Sequence, residues 1–387
     1  MHPEAKNRSV ANLRSIERVE AVDPLTVNVV TKGPYPVLLY YLSENGFSSV
    51  IVPPKYLQEQ GDEALLTAPI GTGPYKFKEW KKGESFTLEP NAEYWGGPPT
   101  FKQITFKAIP EIAGRVAELR SGGADLITNV PPEQVEPLNA GDTKSQVVPS
   151  NFFMLVVFNT LEEGPVKDVR VRQALNHAVD VDAIIKNVMG GYAERVAISL
   201  PKNAFGYPRN MQPIPYDPDK AKQMLAEAGS PNGFSVPFLS RSGRYLKDKE
   251  VVEVIAGYLQ RVGVQCELRF VDAGVFGQIS DQKARPALTY PGWSGLDAEL
   301  VWSPILGTGQ FQSYFSNNDL DAALAEGRGT LDEAKRKAAY DKAAQVIRDE
   351  APHIPLFQMP LIYASRKNLT WAPRGDEVMD LRTASFT

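Results

Sequence analysis

IGTGPYKFKEW, residues 70–80, opens the stretch that sets the architecture. It continues through NAEYWGGPP (91–99) and ITFKAIPE (104–111) to RVAELRSGGADLITNVPP (115–132). Gly71, Gly73 and Pro74 make a turn. Tyr75 and Phe77 alternate with lysines as in a half-buried strand, and Lys81-Lys82-Gly83-Glu84 is a charged turn. Ile104, Phe106 and Ala108 alternate as a partner strand. Ile112, Val116 and Leu119 fall at helical spacing, and Ser121-Gly122-Gly123 stops that helix. Ala124 to Ile127 is a short buried strand, followed by the loop Asn129-Val130-Pro131-Pro132. Helix, glycine turn, buried strand and polar loop read in this order as a βαβ-type unit. In open α/β sheets, ligands sit beyond the carboxyl ends of strands. Position alone therefore nominates Thr128 and Asn129 for a pocket, against the plainer role of ending a strand.

Outward from this stretch, the chain alternates helices with single strands. Upstream, Ile16–Val19 and Thr26–Val30 read as a hairpin joined at Asp23-Pro24. Downstream, Asn151 to Thr160 carries an apolar run of seven residues bounded by polar ones, a fully buried strand. Val171, Ala174, Leu175, Ala178 and Val179 form a helical stripe. Asp217-Pro218 is a helix start, since Asp217 caps free amides and proline suits the first turn. The unit then repeats: a strand over 234–239, a helix near 249–261 with Val251, Ile255, Leu259 and Val262 on one face, a stop at Gly263, and a strand over 264–271. Further helices are expected near 319–327 and 332–350, the second with Tyr340, Ala343, Ala344 and Ile347 inward. Such alternation implies an α/β sheet.

Composition removes several function classes. At 43 % hydrophobic and 23 % charged, the 387-residue chain has the profile of a globular protein of two to three domains. A net charge of −4 gives no electrostatic case for nucleic acid or an anionic membrane. No apolar run approaches the ~18 residues of a membrane helix. Cys266 is the single cysteine, so no intrachain disulfide forms, and its alternating neighbours predict a buried thiol. The three histidines have no metal-ligand spacing, and His177 reads as packed in its helix. No nucleophile elbow, zinc-protease or phosphate-loop motif occurs. No cofactor, metal or catalytic residue is expected.

GTGPYKF, Tyr94-Trp95-Gly96-Gly97, the Arg115–Leu119 helix, DLITNVPP and VRVRQALNHAVD (169–180) together resemble the family 5 extracellular solute-binding proteins. These are the dipeptide-, oligopeptide- and nickel-binding components of ABC importers. The resemblance implies an α/β, two-lobed type II periplasmic-binding-protein fold, with part of lobe one before Arg14-Ser15-Ile16 missing. It implies lobe one at 1–160 with 357–387 returning to it, lobe two at 161–356, and a hinge near 159–164. The implied function is capture of a peptide or peptide-like solute in the interlobe cleft and delivery to ABC permease subunits, by a periplasmic or extracytoplasmic monomer. No signal core is seen in MHPEAKNRSV. Sugar, opine or metal-chelate binding by the same fold stays open, and an α/β hydrolase or transferase is the reading from another class.

Within this resemblance, Tyr290-Pro291-Gly292-Trp293-Ser294-Gly295 aligns with the family's "GW" loop. Trp293 offers an apolar wall with one N–H donor, or is a core residue. In peptide binders an acid soon after this loop pairs with the ligand ammonium. Here Leu296 stands at that place and Asp297 follows by one, so Asp297 is either paired with ligand or exposed. Ser242-Gly243-Arg244-Tyr245 resembles the family's "GRY" near the cleft, where Arg244 suits a ligand carboxylate or is a surface residue. Ser294 and Tyr245 accompany these anchors, and Asn129, Asn151 and Gln358 are hinge or cleft candidates.

Overall fold

Local signals set the helix starts in the computed structural model, which describes residues 13, 15–43, 51–61 and 63–387. Asp217 accepts a hydrogen bond from Lys220 N, with Pro218 at the first helical position of Pro218–Glu227. Asp168, Asp180, Asp272, Asp297, Asn317 and Asp332 cap six more helices in the same way. Each satisfies an amide that would otherwise lack a partner.

The strands are β1 Ile16–Asp23, β2 Thr26–Thr31, β3 Tyr75–Lys81, β4 Ser85–Pro90, β5 Ile104–Lys107, β6 Leu126–Ile127 and β7 Thr143–Phe158. They continue as β8 Glu194–Arg195, β9 Phe234–Arg241, β10 Val264–Val271, β11 Leu288–Tyr290, β12 Gly292–Ser294, β13 His353–Arg366, β14 Leu369–Thr370 and β15 Ser385–Phe386. The chain divides into two compact units: residues 1–48 with 149–360, and 49–148 with 361–387. The sequence reading groups 1–160 with 357–387 instead. Here the early residues lie with the larger unit, where Tyr35 and Tyr41 sit within electrostatic reach of Glu299.

In the larger unit the sheet order is β10-β9-β11-β7-β13, with β12 on β7 and β8 on β13. β9, the helix Asp248–Arg261 and β10 form a true βαβ unit, with eight residues of β10 in parallel register on β9. The expected inward face of that helix is buried: Val251, Ile255 and Leu259 at 0 % exposure. Gly263 follows the end of the helix with φ +91° and meets Gly233 across a backbone approach that admits no side chain. A second layer packs Phe153, Leu155 and Val157 of β7 against Trp302, Tyr314, Tyr340 and Ile347. β1 and β2 pair only with each other, and their Val19, Val22, Leu25 and Val27 are exposed.

In the smaller unit β3, β4 and β5 form an antiparallel meander turned at Gly83. The helix Ile112–Ser121 follows and ends at Gly122 in the left-handed region, as expected. The βαβ reading of this segment is corrected. β5 belongs to the meander, whereas β6 pairs antiparallel with Ala364 and Ser365 near the end of β13. A two-residue strand has no pattern that names its partner. His177 is also less enclosed than expected: its ring is half-buried, with Nδ1 on Pro215 O at 2.9 Å. Cys266 is partly covered, and burial pushes its thiol up to about 11. Among the described residues no helix is long and apolar enough to cross a membrane.

Candidate functional site

The Trp293 segment is a strand rather than a loop. β12 places Gly292, Trp293 and Ser294 opposite Met154, Phe153 and Phe152 of β7. β11 places Leu288 and Thr289 opposite Phe158 and Val157. The two pairings share one register, and Pro291 between them takes Leu155 N on its carbonyl at 3.4 Å. Side chains of a strand alternate between faces. Trp293 and Pro291 therefore share a face with Leu155 and Val157, while Ser294 and Gly292 share the other with Phe152 and Met154.

On the Trp293 face lies a cavity of about 100 Å³, lined by Leu155, Val157, Pro291, Trp293 and Ile305 together with Arg241, Arg285, Ser280 and Gln312. The indole N–H of Trp293 makes no hydrogen bond among the described residues. Arg241 ends β9. Its Nη1 donates to Tyr245 Oη at 2.9 Å, and Tyr245 Oη donates to Gly292 O at 3.2 Å. The Arg241 guanidinium also lies over the Phe276 ring, 4.0 Å from its centroid. No carboxylate pairs with it among the described residues. Sequence reasoning passed over Arg241, Arg285, Ser280 and Gln312. Only the end of β9, a strand pointing its carboxyl end toward this face, signalled Arg241.

Arg244 and Tyr245 meet the β12 segment from the other side. The Arg244 guanidinium lies 4.7 Å from the Tyr245 ring centroid and 5.9 Å from that of Phe152. Their loop is held by the buried Asp248, whose carboxylate accepts from Gly243, Arg244 and Tyr245 N. Gly292 is required here, because a Cβ would stand 2.8 Å from Tyr245 Cζ and 2.9 Å from Met154 Sδ.

Asn151 and Gln358 form a polar cluster one step along β7. Gln358 donates to Ser150 O, accepts from Lys202 N at 3.2 Å, and is 6 % exposed. Asn203 bridges the two, donating to Asn151 Oδ1 at 3.2 Å. Asn129 lies in the smaller unit, half-buried with φ 52°, just before Val130 N, which donates to Ile362 O.

Asp297 is engaged within the chain and largely covered. It caps the helix Ala298–Leu306 through Glu299 N and accepts from Arg336 Nη2 at 3.0 and 2.8 Å. The two side chains are 14 % and 8 % exposed. Arg336 in turn lies over Phe205, and Phe205 N donates to Leu296 O at 2.8 Å. The segment after Trp293 is thus pinned by an internal ion pair. The arrangement as a whole offers an aromatic wall and cationic donors at a pocket of mixed polar and apolar lining.

A family profile described as bacterial extracellular solute-binding proteins, family 5 Middle, matches residues 1–313. The glutathione-binding protein GsiB of Pectobacterium atrosepticum is 32 % identical over 384 residues, spanning 95 % of this chain and 73 % of the relative. Its namesake in Escherichia coli (strain K12) is 29 % identical over 370 residues, spanning 92 % and 71 %. Among solved structures, AgaA from A. tumefaciens R10 in complex with agropinic acid superposes at a TM-score of 0.87. It is 26 % identical, covering all of this chain and 80 % of that one. DppA from Helicobacter pylori superposes at 0.89 with 24 % identity, covering all of this chain and 78 % of that one, a likeness of fold.

Proposed function

Since this chain belongs to the family 5 bacterial extracellular solute-binding proteins, binding components of ABC importers rather than enzymes, we propose that its solute is peptide-like and carries a carboxylate. The protein captures that solute outside the cytoplasm and hands it to an ABC permease. The observation that carries this reading is Arg241: a half-buried guanidinium at the Trp293 pocket, oriented by Tyr245, with no acid among the described residues paired with it. A carboxylate accepts two N–H bonds from such a group, the geometry of the stronger charge-assisted pairs. Trp293 then covers the apolar part of the solute and adds its free indole N–H.

The relatives' named solutes agree in chemistry, since glutathione and agropinic acid are both acids. Arg244, Tyr245 and Ser294 flank the other face of β12 and would shape the approach. Asn151 and Gln358 serve as further polar contacts in this reading. A solute amine is not assigned to Asp297, because Arg336 already neutralises it.

Mass spectrometry of solute released from the denatured purified protein identifies the ligand. Calorimetry then compares wild type with Arg241→Met. Loss of one partner of a buried charge pair costs ~2–5 kcal/mol, a drop of roughly 30-fold or more in affinity. A neutral solute, or unchanged affinity in Arg241→Met, would refute the reading.

A further inference from the structure

Arg285 is the second arginine of the Trp293 cavity, and its surroundings are unusual for a charged group. It is 7 % exposed. Its Nε donates to Ser280 Oγ at 2.9 Å and its Nη2 to Gln312 Oε1 at 2.6 Å, both neutral acceptors. Its Nη1 has no hydrogen bond among the described residues, and no carboxylate there forms an ion pair with it. Asp281 acts on it only at a distance. Phe276 and Tyr314 lie under the guanidinium, with centroids at 5.2 and 5.0 Å. Phe276 is the ring that Arg241 also covers.

Two guanidiniums thus converge on one small cavity, and no acid among the described residues forms an ion pair with either. Burying an unpaired charge is costly, and a like charge nearby adds to the cost. The strain registers in Arg285, whose pKa burial pushes down to about 10. It remains protonated at neutral pH. Gln312, its oxygen taken by Arg285, also lines the cavity, and its NH2 is a further donor there to be used. A pocket for an apolar side chain would not be built this way.

Resting on the reading of this surface as a solute site, we infer that Arg285 and Arg241 together form a subsite for two carboxylates. The solute is a diacid, and Arg285 is the residue that selects it over a monoacid. Arg241 takes the first carboxylate. Arg285 Nη1 and the Gln312 amide take the second within the cavity. Occupation supplies the negative charge that both guanidiniums lack.

The test uses the full chain and simple probes, so it does not depend on knowing the natural solute. Thermal unfolding is followed in glutarate, acetate and chloride at matched ionic strength and pH 7. In wild type, glutarate raises Tm beyond acetate and chloride, with half-saturation in the millimolar range. In Arg285→Met the half-saturating concentration rises at least tenfold, and the preference over acetate is lost. Arg285→Lys, which keeps the charge, retains a preference for glutarate, and Gln312→Leu weakens it several-fold. These two variants serve if the methionine variant does not fold. The inference is overturned if wild type shows no glutarate-specific rise, if acetate matches glutarate, or if removing the Arg285 charge or the Gln312 amide leaves the preference unchanged. The capture reading is judged separately, by the solute recovered from the protein.

Discussion

Replacing Asp297 by alanine separates a structural carboxylate from a ligand-binding one. The substitution removes two things at once. The helix Ala298–Leu306 loses the side-chain bond to Glu299 N, worth ~1 kcal/mol for a typical cap. Arg336, 8 % exposed, loses its carboxylate and is left with Tyr340 Oη at 3.3 Å and Gly327 O at 3.3 Å. Breaking a buried pair by removing one partner costs ~3–5 kcal/mol. The two losses overlap, because one rotamer of Asp297 makes both, so the expected total is ~3–5 kcal/mol. Asp297→Asn keeps an oxygen for the cap and loses the charge, and is expected to fall between wild type and alanine. The assay is urea unfolding followed by tryptophan fluorescence, since Trp293 and Trp302 report on this unit. The double variant Asp297→Asn with Arg336→Met then measures the coupling, expected at ~1–3 kcal/mol. A change below ~0.5 kcal/mol in Asp297→Ala, or strict additivity in the cycle, would refute the argument. A variant of native stability that had lost only solute affinity would restore the carboxylate to the ligand.

Two more outcomes follow from the packing. His353 is fully buried against Ser199 Oγ at 2.8 Å, and burial lowers its pKa from 6.5 to about 3. The unfolded chain binds this proton more readily, so stability is full above pH 6.5 and falls toward pH 3 at up to ~1.4 kcal/mol per unit. Urea titrations of wild type and His353→Gln between pH 4.5 and 7 should show the flatter dependence in the variant, and equal slopes would discount His353. Gly233→Ala places a Cβ 1.8 Å from Gly263 O at φ +73°, so a loss above ~2 kcal/mol is expected in the same assay.

The parts of the fold legible in the sequence are those whose causes are local. Asp217-Pro218 and Gly263 announce helix ends through caps and left-handed turns, and the 249–262 stripe faces inward as its spacing says. The β6 partner was illegible because two residues cannot show whether a neighbour is parallel. The ion pair of Asp297 was illegible for a related reason. Its neutralising cation lies 39 residues on, in another helix, and nothing in GLDAEL points to it. The site shows the same divide. Trp293 and the Arg244-Tyr245 pair stand in motifs, whereas Arg285 stands in an ordinary QKARPAL. What makes Arg285 unusual is that no acid among the described residues forms an ion pair with it, and a missing partner leaves no mark in a sequence.

The unbroken register through Pro291 restricts how this pocket can be altered. A surface loop absorbs an added or deleted residue by bulging outward. Here one residue gained or lost between Leu288 and Trp293 would turn the indole to the opposite side of the sheet and put Ser294 or Gly292 at the pocket. Solute preference in this protein is therefore open to change by exchanging side chains at fixed positions, and closed to change by length. A library meant to redirect it should vary Arg241, Arg285, Trp293 and Gln312 and leave the spacing of 288–294 untouched.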